Sequence, residues 1–123
     1  MTVRVLVADD DLDVHELVND ILLITFKDVL IERVLSVEAC RAKLSSQIDF
    51  DLLLVASGLS DENDTAILAM VLDEFPAMVS KIAVIEEAGA SARFDNAGKP
   101  LPLIKKPFSL DEFSDVIKKI CRV

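Results

Sequence analysis

Residues 52–55 read Leu52-Leu53-Leu54-Val55 and form the most apolar run of the chain. A short run that is apolar at every position is typical of a strand buried on both faces of a parallel sheet. Residues 3–8, Val-Arg-Val-Leu-Val-Ala, have nearly the same character. We therefore predict that both segments are strands of one parallel sheet, and that helices formed by the rest of the chain cover its two faces.

Strand-like and helix-like patterns alternate along the whole sequence. Further strands are predicted at 29–34 and 82–85, with a weaker fifth at 101–104. Pro102 would confine the fifth strand to an edge, because proline has no N–H to donate to a second neighbour. Between and after the strands, apolar residues recur at helical spacing and predict helices. The sets are Val14, Leu17, Val18, Ile21 and Leu22; Val37, Cys40 and Leu44; Ile67, Leu68, Val71, Leu72 and Phe75; and Leu110, Phe113, Ile117 and Ile120. The residues of the last set are expected to point inward.

Helix ends are also marked in the sequence. Asp11 and Ser36 are suitable N-cap residues, and Ser109 followed by Glu112 has the spacing of a capping box. Pro76 should end the third helix. The segment 88–100 contains two glycines and a proline, so it predicts only a short fourth helix or a mobile loop.

Length and composition limit the classes of function. The 123 residues predict one domain, 1–123, and the apolar fraction of 52% excludes a disordered chain. No apolar run reaches the roughly 18 residues of a spanning helix, and Met1-Thr2-Val3 enters a strand pattern unlike a signal peptide. We expect a cytoplasmic protein with no membrane partner. The net charge of −9 and scattered basic residues argue against direct binding of nucleic acid.

The two cysteines show no pattern of a metal site. Cys40 and Cys121 fall inside predicted helices, without metal-ligand spacing and without a nearby histidine. Two isolated cysteines in a cytosolic chain are expected to be reduced residues with a packing role.

Charged residues follow several of the predicted strands. The run Asp9-Asp10-Asp11 follows the first strand, Glu86-Glu87 the fourth, and Lys105-Lys106 the fifth. In open α/β sheets the ligand crevice lies beyond the carboxyl ends of the strands. Acidic residues opposite a lysine at such a position suit Mg²⁺ and a phosphoryl group.

These motifs resemble the receiver domain of response regulators in two-component signalling. The run from Val5 to Asp11 is similar to the opening of receivers, 51–55 to the approach to their phosphorylated aspartate, and Lys106-Pro107-Phe108 to their lysine and proline. The resemblance covers nearly the whole chain. It implies a flavodoxin-like, three-layer (βα)5 fold with sheet order 2-1-3-4-5, an acidic pair at Asp9 and Asp10 for Mg²⁺, and a site lysine at Lys106.

The sequence departs from receivers at the positions that carry their chemistry. Ala56 stands where the family has its phosphoacceptor aspartate, and a methyl group offers no nucleophilic oxygen. Glu86 stands at the switch Ser/Thr position and Leu103 at the switch aromatic, and Ser60 replaces a proline. A designed acceptor mutant would change Ala56 alone, so natural degeneration is the favoured interpretation. No cofactor is required, and Mg²⁺ binding is expected to be weak because Ala56 removes a carboxylate ligand.

The resemblance then implies a degenerate receiver that is not an enzyme. It would signal by contact with a sensor kinase or an output domain, through the face made by helix four, strand five and helix five. Lys106 is expected to contact Asp9, Asp10 or Glu86. Two alternatives are a receiver phosphorylated at an unconventional acceptor such as Ser57, and an Asp-to-Ala mutant, at Ala56, of an ordinary regulator. A third, an unrelated flavodoxin-like binding protein, lacks the expected glycine-rich loop after strand one.

Overall fold

The structure is a computed structural model of the chain. It describes residues 2–8, 12–46, 50–56, 61–87, 102–106 and 109–121, and within these only the backbone of 12–15, 56, 61–67, 86–87, 103 and 105–106. In chain order its elements are β1 (Val3–Ala8), α1 (Leu12–Thr25), β2 (Val29–Val34), α2 (Val37–Ser46), β3 (Leu52–Ala56), α3 (Asp61–Glu74), a 3₁₀ helix (Pro76–Lys81), β4 (Ile82–Glu87), β5 (Leu103–Lys106) and α4 (Leu110–Cys121).

The described strands form one parallel sheet in the order β2-β1-β3-β4-β5. Each neighbouring pair is parallel, and the register places Val5 beside Leu52 and Leu53 beside Ile82. The predicted fold class and strand order are therefore confirmed. The apolar run 52–55 lies in the middle strand, as expected for a segment that must be buried on both faces.

The sheet separates two hydrophobic layers. Alternate residues along a strand point to opposite faces, so one strand contributes to both layers. One layer joins α2 and α3 to Leu6, Ala8, Leu53, Val55, Ile82 and Val84. The other joins α1 and α4 to Val5, Val7, Leu52, Leu54, Ala83 and Ile85. The helix–sheet–helix arrangement is the three-layer architecture predicted from the sequence.

Two of the predicted helix caps are present. The Ala39 N–H donates to Ser36 Oγ at 3.1 Å, and the Glu112 N–H donates to Ser109 Oγ at 3.1 Å, which is the serine half of the capping box. The carboxyl end of α3 also agrees with the prediction, because the helix ends at Glu74, shortly before Pro76. The chain then continues as the 3₁₀ helix, which the sequence analysis did not anticipate.

The fifth strand lies two residues later than predicted, at Leu103–Lys106 instead of 101–104. Pro102 explains part of the shift, because it contributes only its carbonyl, which accepts a hydrogen bond from the Val84 N–H at 2.9 Å. The edge position of β5 agrees with the expectation from Pro102.

Two apolar helical residues are more exposed than expected. Leu17 lies about 90° around α1 from the middle of the buried arc of Val18, Ile21 and Leu22, and it is 49% exposed. Leu110, predicted to point inward, is 43% exposed because it begins α4 and has no preceding turn to cover it. Phe113 and Ile117 are fully buried, as predicted.

Some expectations fall on parts of the chain outside the described residues. These are the N-cap at Asp11 and the short helix or loop at 88–100. The last helix, expected as the fifth, is therefore α4 here. None of the helices in the described ranges has the length and apolar character needed to cross a membrane.

Candidate functional site

The carboxyl edge of the sheet is where the sequence places the candidate residues. The register forms a row across the five strands, from Val34 through Ala8, Val55 and Val84 to Leu103. β1 and β2 end at this row, β3 continues to Ala56, and β4 and β5 extend further. The strand ends are therefore staggered and form a stepped edge.

Ala56 is the last residue of the middle strand. Its Cα pairs with that of Ile85 on β4, and the residue before it, Val55, pairs with Ala8 on β1. The backbone thus places position 56 between the strand that leads into Asp9 and the strand that carries Glu86. An alanine at this position brings neither a nucleophile nor a metal ligand.

The acidic pair Asp9 and Asp10 and the proline Pro107 lie outside the described residues. For Lys106, Glu86 and Leu103 the backbone is described, as part of β5 or β4. Within the described ranges, no three His, Cys, Asp or Glu side chains come together as a metal site. Mg²⁺ prefers near-octahedral oxygen ligation, and the alanine at position 56 contributes no oxygen ligand from its side chain.

The register between β4 and β5 pairs acidic with basic positions. Glu86 lies beside Lys105, and Glu87 lies beside Lys106. Glu87 is not among the partners predicted for Lys106, although the sequence shows two consecutive glutamates on one strand and two consecutive lysines on the next. The side chain of Lys106 is outside the described part of the structure. Its predicted contact with Asp9, Asp10 or Glu86 therefore stays a prediction.

The Cα atom of Lys106 lies far from that of Ala56 across the sheet. Ala56, Ile85 and Ile104 share a row, and Lys106 follows Ile104 by two residues on the second strand over. With about 4.8 Å between strands and about 3.3 Å per residue, the two Cα atoms are roughly 12 Å apart. A lysine at 106 must therefore reach across β4 to meet any group at the end of β3.

Both thiols are free, and both have raised pKa values. Burial raises the pKa of the Cys40 thiol from 9.0 to about 11. Burial, and then the nearby Asp51 carboxylate, raise the pKa of the Cys121 thiol to about 11. Such thiols are protonated and unreactive at neutral pH, which agrees with the packing role predicted for them.

A separate depression of about 260 Å³ lies at the opposite end of the sheet. Its walls come from the end of α3 and the 3₁₀ helix, including Phe75, Pro76 and Met78. Lys81 at its rim donates to the Phe50 carbonyl at 3.2 Å. None of the candidate residues at the carboxyl edge contributes to it.

No family model matches the sequence, and no curated protein does. Solved structures do match in fold. A response regulator receiver domain from Clostridium thermocellum has a TM-score of 0.75 at 15% identity, covering 98% of this chain and 94% of that one. The receiver domain of NtrX from Brucella abortus gives 0.70 at 20%, covering 97% and 98%. The chemotaxis response regulator CheY4 of Vibrio cholerae gives 0.76 at 14%, covering 98% and 99%. The chain has the receiver fold.

Proposed function

We propose that this chain is a receiver-like signalling module that acts without aspartyl phosphorylation, by binding a protein partner. The observation that carries the proposal is Ala56 at the end of the middle strand, between β1 and β4. The position that should supply the acceptor oxygen supplies a methyl group, so an acyl phosphate has no atom on which to form.

The charges around the strand ends support a single stable state. In a receiver, three aspartates accompany one lysine at the strand ends; in this sequence Asp9, Asp10 and Glu86 accompany Lys106, with the same formal sum of −2. The register adds Glu87 beside Lys106 and Lys105 beside Glu86. The carboxylates of Glu86 and Glu87 on β4 then supply the negative charge that a phosphoryl group brings to an ordinary receiver. The module is then fixed in one conformation.

A sensor kinase or an output domain is the partner class implied by the receiver fold. The face expected to carry the contact includes β5, which is the open edge of the sheet, and α4. The outer surface of α4 carries exposed Leu110 with Asp111, Glu112, Asp115, Lys118 and Lys119, a mixed-charge surface suited to a protein and unsuited to a nucleic acid backbone.

Mg²⁺ is not required by this mechanism. Asp9 and Asp10 are the residues that would hold it, and Ala56 offers no third carboxylate. We therefore expect weak, millimolar-range binding of Mg²⁺, on the order of 1 mM or weaker. Isothermal titration with MgCl₂ measures this affinity directly.

Exposure to a small phosphodonor tests the proposal. With acetyl phosphate and Mg²⁺ the mass of the protein should stay unchanged, and with beryllofluoride and Mg²⁺ its amide chemical shifts should move no more than with Mg²⁺ alone. An ordinary receiver with an aspartate acceptor, treated in parallel, is the positive control. Stoichiometric labelling would contradict the proposal. Labelling at Ser57 would identify the unconventional acceptor, and no labelling combined with full switching by Ala56→Asp would identify an acceptor mutant of an ordinary regulator.

A further inference from the structure

The last turns of α1 carry large apolar side chains on the face that is exposed to solvent. Leu23 is 56% exposed and Ile24 is 69% exposed, the highest value among the large apolar side chains described. The inner face of the same helix already buries Val18, Ile21 and Leu22. A helix that is apolar on both faces is typical of one that is covered on both sides.

Two opposite charges flank this apolar pair at equal distances along the chain. Asp20 lies three residues before Leu23, and Lys27 lies three residues after Ile24; both are exposed. Neither forms an ion pair or a side-chain hydrogen bond with other described residues. We call Asp20, Leu23, Ile24 and Lys27 the α1 end patch. Its sequence of acid, two apolar residues and base is self-complementary under a twofold axis that passes between Leu23 and Ile24.

We propose that the α1 end patch is the contact surface of a homodimer. Two copies of α1 cross antiparallel, so that Leu23 meets Ile24 of the partner subunit and Asp20 meets Lys27 of the partner subunit, twice by symmetry. Asp20 and Ile24 are about 6 Å apart along the axis at 1.5 Å per helical residue, and Lys27 follows in the bend after the helix, so the apolar centre separates the two ion pairs. Charge complementarity selects a second copy of this chain as the occupant.

Hydrogen bonds of neighbouring residues hold the backbone beneath and after the patch, which favours association. The Phe26 N–H donates to the Leu22 carbonyl at 3.0 Å, which closes the last turn of α1 directly before Lys27. Thr25 Oγ1 lies 3.0 Å from Ser114 Oγ on α4. On the far side, Asp28 accepts from Thr2 Oγ1 at 2.6 Å. The backbone of the patch therefore loses little conformational freedom when the patch is covered.

The contact is small, so the dimer should be weak and dependent on concentration. We expect a dissociation constant below about 300 µM by sedimentation equilibrium at moderate salt. Ile24→Asp should raise it at least about tenfold, whereas Leu110→Asp, at a leucine on α4 that is 43% exposed, should leave it unchanged. A wild-type chain that stays monomeric at about 500 µM would overturn the proposal.

Charge reversal tests the geometry of the contact. Asp20→Lys places two Lys–Lys contacts in its homodimer, and Lys27→Asp places two Asp–Asp contacts in its own, so each variant alone should dissociate about tenfold more readily. Mixed in equal amounts, they restore two attractive pairs and should form a heterodimer of nearly wild-type affinity. Asp115→Lys and Lys118→Asp on α4 carry the same net charges and serve as controls. If the mixture stays monomeric, or if the control variants weaken the dimer equally, the patch is not the interface.

Discussion

Ala56 differs from an aspartate by one carboxylate, and that difference removes a nucleophile and a metal ligand from the same place. Because the residue is the last of β3, with Ile85 beside it on β4, a carboxylate at this position would meet the strand that carries Glu86. A single substitution there cannot rebuild a receiver if the neighbouring strand has also changed.

We expect Ala56→Asp to accept some phosphate but not to switch. Glu86 lies one residue beyond the row of position 56 on the adjacent strand, and a like charge at close range raises carboxylate pKa values and opposes ionisation. Labelling by acetyl phosphate should be at least about tenfold slower than after the further change Glu86→Thr. Chemical-shift changes across β4 and β5 should appear in the double variant alone. Ala56→Asn, which cannot be labelled, is the control, and a full response from Ala56→Asp alone would contradict the expectation.

The cysteine thiols predict a stability change in alkali. The folded pKa values of Cys40 and Cys121, about 11, lie above the usual value of 9.0. The stabilising effect of a protonated thiol is complete below pH 9.0 and is lost as the pH rises through about 11, because the unfolded chain loses its thiol protons first. For the fully buried Cys40 the loss is roughly 2–3 kcal/mol at most.

Urea denaturation from about pH 8 to about pH 11 measures this loss. The chain has no tyrosine to titrate in the same range. Cys40→Ala should start from a lower stability, since it loses packing, but its stability should decline less across this range. Cys121→Ala, where the thiol is only half-buried, should show a smaller difference. Equal slopes in wild type and Cys40→Ala would show that the buried thiol is not responsible.

At the scale of the elements, local signals predicted the starts of α2 and α4, and tertiary contacts set other boundaries. Ser36 and Ser109 cap α2 and α4 because a cap involves only the next three residues. The start of β5 depends on Pro102 meeting Val84 of β4, which no local pattern contains. The 3₁₀ helix that begins at Pro76 likewise depends on packing, because its own Met78 is buried in the core.

Ser109→Ala should lower the free energy of unfolding by about 1 kcal/mol, because the Glu112 N–H at the start of α4 loses its acceptor. Ser36→Ala should cost a similar amount at α2. Ser45→Ala, at an exposed position near the end of α2, is the matched control and should be neutral or slightly stabilising, since alanine is the better helix former. Urea denaturation measures all three, and an equal effect in the control would contradict the capping role.

At the scale of the whole molecule, the sequence predicted the sheet order but not how the strand ends are matched. The order followed from alternating strands and helices and from the resemblance at Asp9, Asp10 and Lys106. The pairing of Glu87 with Lys106 depends on the β4–β5 register, which is set by core contacts at Val84 and Ile85. Local patterns carry no information on such registers, so Glu87 is absent from the partners predicted for Lys106, which are Asp9, Asp10 and Glu86.

The middle strand joins the two hydrophobic layers, so the molecule should unfold as one unit. Leu53 belongs to the layer under α2 and α3, and Leu54 to the layer under α1 and α4; both are fully buried. Neither layer keeps its central contacts if β3 leaves the sheet. A substitution that destabilises one hydrophobic layer should therefore also lower the stability of the other layer.

Leu53→Ala and Leu54→Ala should each lower the free energy of unfolding by about 2–5 kcal/mol, because each leaves a cavity in a packed layer. Leu30→Ala, at a side chain 52% exposed on β2, should cost less than about 1 kcal/mol. In Leu53→Ala, amide signals from α1 and α4 should disappear at the same urea concentration as those from α2 and α3. The reverse must hold for Leu54→Ala. Separate midpoints for the two faces would mean that β3 does not couple the layers, and that each helix pair is stabilised independently.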